Sequence, residues 1–322
     1  MPQVMPWPLS PDERAVVVSA ARDILASGGL VGLPTESTYV VAAASAEALA
    51  QLNGPIARFT RDPALPGIAG RLARRAWPGP LVLRLGTDAV GLVQPHHECI
   101  QSIVDRPLWL AEPGPFVTVD ELAAVPHLAM RVDAGRTQLA QPATWVALDG
   151  DAWRVERPGV WEADEIARLA ARWTVFVCTG NTCRSPMAEA ICKALLAERL
   201  GCSVAELPAK GHVVLSAGVV AGRGDPATPE AVEAVRRFGG DLSEHASRPA
   251  TPDLLAEADD VIAMTASHLY AVARFEPIFA QPRLLCGSAD LPDPIGGRRE
   301  VYEECARTIR DHLVAFVSDI VG

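Results

Sequence analysis

The sequence predicts an α/β protein of two domains, the second a doubly wound, four-stranded parallel sheet flanked by helices. Three observations predict this. At 322 residues the chain is long enough for two domains that each bury a core. Beyond about residue 170, strand-like and helix-like segments alternate, as in a parallel sheet with crossover helices. Composition shifts at the same place: six of the seven Trp lie at or before Trp161, and the seventh, Trp173, opens the next strand. The domains are accordingly drawn at 1–168 and 172–322.

In the first half, Asp12 to Ser27 is an amphipathic helix with Pro11 near its start, acidic residues in its first turn and Gly28-Gly29 after it. Leu30 to Leu33 is a short buried strand, and a second helix is expected from Ala46 to Leu52. A third runs from Ile68 to Ala76 and stops at Trp77-Pro78-Gly79-Pro80, before a strand from Leu81 to Leu85. Between Gly86 and Pro126 prolines are many and periodicity is weak. Strands follow at Leu128 to Val132, Thr144 to Leu148 and Trp153 to Glu156, and a charged helix, Trp161 to Ala171, reads as the connector.

In the second half the predicted strands are Thr174 to Val177, Val213 to Ser216, Asp260 to Ala263 and Arg283 to Cys286. The helices are Ser185 to Arg199, Pro229 to Phe238, Ala266 to Arg274 and Glu300 to Val321.

Composition narrows the function. With 49% apolar and 21% charged residues the chain is globular. A net charge of −10 argues against a general nucleic-acid binder, which needs a basic face. Lys193 and Lys210 are the only lysines. Seven irregularly spaced Cys make no disulfide framework. The start, M-P-Q-V-M-P-W-P, lacks the basic and apolar regions of a signal peptide, and no run approaches the roughly 18 apolar residues of a membrane span. A cytoplasmic protein with no membrane partner is expected. Neither C-x2-C nor H-x3-H spacing occurs, so no metal is implied, and no cofactor either.

The stretch that carries chemistry is T-V-F-V-C-T-G-N-T-C-R-S-P-M-A-E. A buried strand ends at Val177, Cys178 opens a tight loop, and Ser185-Pro186 starts a helix. Such a corner aims backbone N–H groups and the positive end of a helix dipole at one point, where an oxyanion belongs. A thiol at a helix N-terminus beside Arg ionises readily, and the thiolate is the form that attacks phosphorus. Arg184, six residues on, offers a planar fork for two phosphate oxygens. Ser185 can donate its hydroxyl to the sulfur, Asn181 suits a left-handed turn, and Gly180 allows positive φ or close backbone approach.

These residues resemble the signature C-x-G-N-x-C-R-S-P of the low-molecular-weight protein tyrosine phosphatases. The resemblance runs from Trp173 to the C-terminus through L-S-A-G-V (Leu215 to Val219), D-L-S-E-H-A-S-R (Asp241 to Arg248), A-D-D-V-I-A-M-T (Ala258 to Thr265) and L-P-D-P (Leu291 to Pro294). It implies a phosphocysteine mechanism on phosphorylated proteins. Cys178 is then the nucleophile, Arg184 the phosphate clamp and Asp293 the general acid, with Thr179, Gly180, Asn181, Thr182, Cys183 and Ser185 lining the substrate loop. Thr182 stands where tyrosine-directed members typically carry Ile, as in the protein arginine phosphatase branch, and Ile295-Gly296-Gly297 replaces the aromatics that follow the D-P pair. Phosphoarginine is therefore favoured over phosphotyrosine. Ile295 departs from bacterial arginine phosphatases too, where an aromatic is expected. Cys183 is a candidate for a reversible disulfide with Cys178. Cys286 and Cys305 show no relay spacing of the arsenate-reductase kind.

In the first half, G-L-V-G-L-P-T-E-S-T-Y (Gly29 to Tyr39) and R-R-A-W-P-G-P-L-V-L (Arg74 to Leu83) resemble the YrdC-like domain of threonylcarbamoyl-AMP synthases, an α/β twisted-sheet domain. D-A-G-R-T, A-T-W-V-A-L and R-P-G follow in order at Asp133, Ala143 and Arg157. The family's K-x-R segment has no counterpart, because no lysine precedes Lys193, and A-E-P-G-P (Ala111 to Pro115) stands in place of its P-S-A-N loop. Arg58 and Arg61 are candidate substitutes, and Pro34-Thr35-Glu36 a candidate pocket lip. Synthase activity is not expected. The opposing reading is a nucleotide- or tRNA-binding module with an accessory phosphatase.

Overall fold

The computed structural model describes residues 2–7, 10–61, 64–275 and 280–321. The chain divides into two compact units, residues 1–170 and 171–322.

The first unit contains, in chain order, β1 (Gln3–Pro6), α1 (Pro11–Ala26), β2 (Leu30–Pro34), β3 (Tyr39–Ala43), β4 (Ile56–Phe59), α2 (Gly67–Ala76), β5 (Gly79–Leu85), β6 (Gly91–Gln94), α3 (Glu98–Ile103), β7 (Trp109–Ala111), β8 (Leu128–Asp133), β9 (Thr144–Asp149), β10 (Ala152–Arg157) and α4 (Ala163–Ala170). The strands form one mixed sheet in the order β1-β8-β2-β3-β7-β4-β6-β5-β9-β10. Val17, Ala21 and Leu25 of α1 pack on Leu33, Val40 and Met130, while Leu72 of α2 and Ile166 of α4 pack on Leu81 and Val146.

Several expectations are corrected here. Residues 46–52 form only a 3-10 turn, Glu47–Leu49, in place of a helix. Strands β3 and β4 were not expected, nor were β6, α3 and β7 in the weakly patterned stretch. Helix α4 is not a free connector: Arg71 Nε and Arg75 Nη1 of α2 donate to the carbonyls of Ala170 and Leu169, each at 2.6 Å, which places it in the first unit.

The second unit contains β11 (Arg172–Cys178), α5 (Arg184–Leu200), β12 (His212–Gly218), α6 (Pro229–Arg236), α7 (Pro252–Glu257), β13 (Asp260–Ala263), α8 (Ala266–Val272), β14 (Arg283–Leu284) and α9 (Arg299–Val321). Its four strands lie in the order β12-β11-β13-β14, all parallel. Alternate residues of β11 face opposite ways: Phe176 joins the core under α5, α6 and α9, while Val175 and Val177 join Leu255 of α7 and Val272 of α8. Burial of each such side chain contributes about 1.5–3 kcal/mol. Helix α7 was not expected, and β14 is two residues long rather than four.

This strand order positions the site. The chain leaves β11 for β12 on one side and returns to β13 on the other, so a crevice opens beyond the carboxyl end of β11. Cys178 is the last residue of that strand, opposite Gly218 of β12.

Candidate active site

Five residues separate Cys178 from Arg184, the first residue of the seventeen-residue helix α5. The loop between them is closed by Asn181, which is fully buried and left-handed at φ 57°. Asn181 offers a side chain that repays the strained backbone with local hydrogen bonds. Its Nδ2 donates to Ser185 Oγ at 3.0 Å and Ser216 Oγ at 2.8 Å, and its Oδ1 accepts from the Arg248 amide at 2.9 Å. His245 Nε2 donates to its carbonyl at 2.8 Å. Ser216 in turn donates to Glu189 Oε2 at 2.6 Å, and Lys193 pairs with the other oxygen of Glu189.

Gly180 takes no left-handed conformation, and a Cβ there would meet only Thr182 Oγ1, at 3.7 Å. The close approach lies instead at Gly218, where a Cβ would stand 2.4 Å from the Thr179 carbonyl and 2.9 Å from the Asn181 amide.

Cys178 Sγ is 3% exposed and accepts from the Asn181 amide at 3.3 Å. Ser185 Oγ stands 2.9 Å from it, also within reach of the Ala217 carbonyl at 3.3 Å. The donors converging on the sulfur suit a thiolate. Arg184, 5% exposed, donates to Asp293 Oδ2 at 2.5 Å and to the Leu291 carbonyl at 3.4 Å, so the structure brings Asp293 to Arg184. The Ile295 amide donates to Asp293 Oδ1 at 3.2 Å, and Ile295 itself is largely exposed.

The Thr182 carbonyl accepts from the Thr228 amide at 3.0 Å. Cys183 Sγ lies 3.6 Å from both Thr228 Oγ1 and Tyr302 Oη, and burial pushes the Tyr302 phenol up to about 12. All seven Cys are free thiols, and burial pushes Cys305 up to about 12.

Sequence reading missed Glu189, Ser216, His245 and Arg248 as supports of Asn181, although all four lie inside the motifs quoted above. It also missed His268 of α8, which is 3% exposed with Nε2 2.8 Å from Thr179 Oγ1. Burial first, and then the charge of Arg184, push this ring below the ordinary imidazole value; Asp293 and Asp290 pull the other way.

In the first unit, Thr35 and Glu36 border a small cavity of about 40 Å³ that Glu112 and Trp145 also line. Glu36 Oε2 accepts from the His96 amide at 2.8 Å and the His97 amide at 3.3 Å, while Oε1 is buried without a partner. Burial pushes this carboxyl above its ordinary value. Glu112 pairs with Arg157 and accepts from Thr38 Oγ1. Arg58 and Arg61 line a different cleft, and Arg61 Nη2 donates to the Gln101 carbonyl at 2.6 Å. They bring no cation to the Glu36 cavity.

No group of three or more potential metal ligands occurs among the described residues. No helix among them is long and apolar enough to cross a membrane.

A thiol-bearing loop at the mouth of a doubly wound sheet, with Arg opening the following helix, is the arrangement of the cysteine-dependent phosphatases. Residues 174–321 match the family model described as low molecular weight phosphotyrosine protein phosphatase. A protein-arginine-phosphatase of Bacillus subtilis (strain 168) is 43% identical over 145 residues, which is 43% of this chain and 90% of that protein. A low molecular weight protein-tyrosine-phosphatase of Streptomyces coelicolor is 36% identical over 148 residues, 42% of this chain and 84% of that protein. A solved structure of a YwlE mutant from Bacillus subtilis aligns at 34% identity and a TM-score of 0.41, covering 47% of this chain and all of that one. Through its second half the chain belongs to the low-molecular-weight phosphotyrosine protein phosphatase family.

Proposed function

We propose that the chain hydrolyses phosphorylated protein side chains through a phosphocysteine, phosphoarginine ahead of phosphotyrosine, with residues 172–322 as the phosphatase domain. The observation that carries this reading is the sulfur of Cys178, held by the Asn181 amide and the Ser185 hydroxyl, at the start of a helix whose Arg184 reaches Asp293.

In the first step the Cys178 thiolate forms an S–P bond while the bond from phosphorus to the leaving oxygen or guanidine nitrogen breaks. The proton of Asp293 passes to that leaving atom. Arg184 exchanges Asp293 for two phosphoryl oxygens and follows them into the trigonal transition state. In the second step the Asp293 carboxylate takes a proton from water, the new O–P bond forms, and the S–P bond breaks. The Ser185 hydroxyl stabilises the departing thiolate. Thr179, Gly180, Thr182 and Cys183 complete the phosphate loop.

The preference for phosphoarginine draws support from Thr182, from the absence of an aromatic in Ile295-Gly296-Gly297, and from the name carried by the Bacillus relative. A site with little aromatic surface gives a phenyl ring little to stack on.

We assign residues 1–168 to a YrdC-like domain without synthase activity. The absence of lysine and the placement of Arg58 and Arg61 away from the Glu36 cavity support this, since the synthase reaction needs a cationic grip on phosphate. A cytoplasmic location is part of the same reading.

The test is turnover of a small aryl phosphate by the full chain. Cys178→Ser abolishes it, and Asp293→Asn lowers kcat by roughly 100-fold; turnover unchanged in Cys178→Ser ends the mechanism. Thr182→Ile moves the ratio of phosphoarginine to phosphotyrosine peptide hydrolysis towards phosphotyrosine by about tenfold, and an unmoved ratio rejects the assignment.

A further inference from the structure

We propose that His268 is a positioning residue of the phosphate site whose ring takes up a proton when a tetrahedral oxyanion binds between Cys178 and Arg184. The proposal rests on the phosphatase reading above.

His268 lies outside the family motifs, yet it reaches the loop. Its Nε2 stands 2.8 Å from the hydroxyl of Thr179, the residue after the nucleophile, and its Nδ1 stands 2.8 Å from Thr265 Oγ1. The Thr179 carbonyl is held by the Val220 amide at 3.0 Å, so this exposed residue has both its backbone and its side chain fixed. The ring is what fixes the side chain.

The two partners of the ring are of one kind. A neutral imidazole has one donor nitrogen and one acceptor, and an imidazolium has two donors. An amide N–H opposite either nitrogen would hold the ring in its neutral form. A hydroxyl rotates and serves either. Thr265 can pass its own hydrogen to Ser267 Oγ, 2.8 Å away. Thr179, once it accepts from the charged ring, has its hydroxyl hydrogen released for an acceptor at the loop. The buried ring therefore changes charge without setting donor against donor.

The charged groups that bear on the ring come from two other elements. Arg184 of α5 opposes its protonation, and Asp290 and Asp293 of the segment before α9 favour it. An oxyanion bound at Arg184 brings up to two negative charges towards His268, a residue 3% exposed, where solvent screens little. The balance around His268 then turns towards the charged form. A ring that only packs the loop would keep one protonation state throughout.

Sulfate is the probe, because it does not titrate near neutral pH, and Cys178→Ser removes the thiol as a source of protons. Calorimetry of sulfate binding to the full-length Cys178→Ser protein, in two buffers of different ionisation heat at pH 6.5, reads the protons taken up per anion. Adding His268→Asn is expected to lower that uptake at least about twofold. The ring signal of His268, followed by NMR in Cys178→Ser alone, is expected to titrate about one pH unit higher with saturating sulfate. This second reading decides the matter should the double variant fail to fold. Equal uptake in both proteins, or a midpoint that sulfate does not move, overturns the proposal and leaves the anion site intact. Failure of sulfate to bind at all overturns both.

Discussion

At the scale of single residues, the phosphate loop is shaped by what lies behind it. Asn181 turns the chain left-handed, and Ser185, Ser216, His245 and the Arg248 amide hold it there. Gly218 supplies the space. A methyl group at 218 would sit 2.4 Å from the Thr179 carbonyl, a backbone atom that cannot swing aside, so the loop itself must move. Gly218→Ala is therefore expected to lower kcat/KM for an aryl phosphate by on the order of 100-fold, since small displacements of a reacting group cost that much. Steady-state kinetics beside a circular dichroism spectrum checks this, and unchanged kinetics would show that the loop has slack. The parts of the site that share one stretch of chain, Cys178 to Ser185, were legible in the sequence because a strand, a loop and a helix start impose their order locally. Most of the supports were not, because Ser216, His245 and His268 become neighbours of the loop only through the fold.

At the scale of elements, legibility followed the pattern of burial. Strands β11, β12 and β13 and helices α5 and α9 are bounded by clear punctuation, and the reading found them within a few residues. Strand β3 is buried at all five positions, so no alternation marks it. Strand β14 is shorter than its apolar run because the chain turns back, with Leu284 bridging Gly287 and Cys286 bridging Ala289. Helix α7 carried a usable signal: Thr251 accepts from the Leu254 amide and Pro252 occupies the first turn. Helix α5 ends at Gly201, φ 61°, whose amide bonds back to the Ala197 and Glu198 carbonyls. A Cβ at 201 would meet nothing within 4 Å, so the cost of Gly201→Ala is one of backbone conformation alone. A loss of about 1 kcal/mol is expected by urea denaturation, with activity retained; a much larger loss would point to packing that the backbone geometry does not contain.

At the scale of the whole molecule, the two units carry buried charge differently. In the second, Arg172 holds Asp260 with two hydrogen bonds and Arg184 meets Asp293. In the first, Glu36 keeps one oxygen without a partner and its carboxyl is raised by burial. The folded chain thus retains a proton at pH values where the unfolded chain has released it. The stability this proton confers is complete below the ordinary carboxylate value and declines as pH climbs through the raised one. Glu36→Gln should match the parent protein near pH 4 and unfold a few degrees higher at pH 7, about 1 kcal/mol in a unit of this size. Thermal scans across that range check it, and a difference independent of pH rejects the buried-charge account. Among its described residues the second unit leaves no carboxylate oxygen buried without a partner. The turn at Asn181 is tied through its side chain and its carbonyl, so on the phosphatase reading an arriving anion is expected to find the loop already shaped. Such a preorganised cradle has a kinetic signature: association proceeds in one phase, its observed rate climbing in proportion to anion concentration with no plateau.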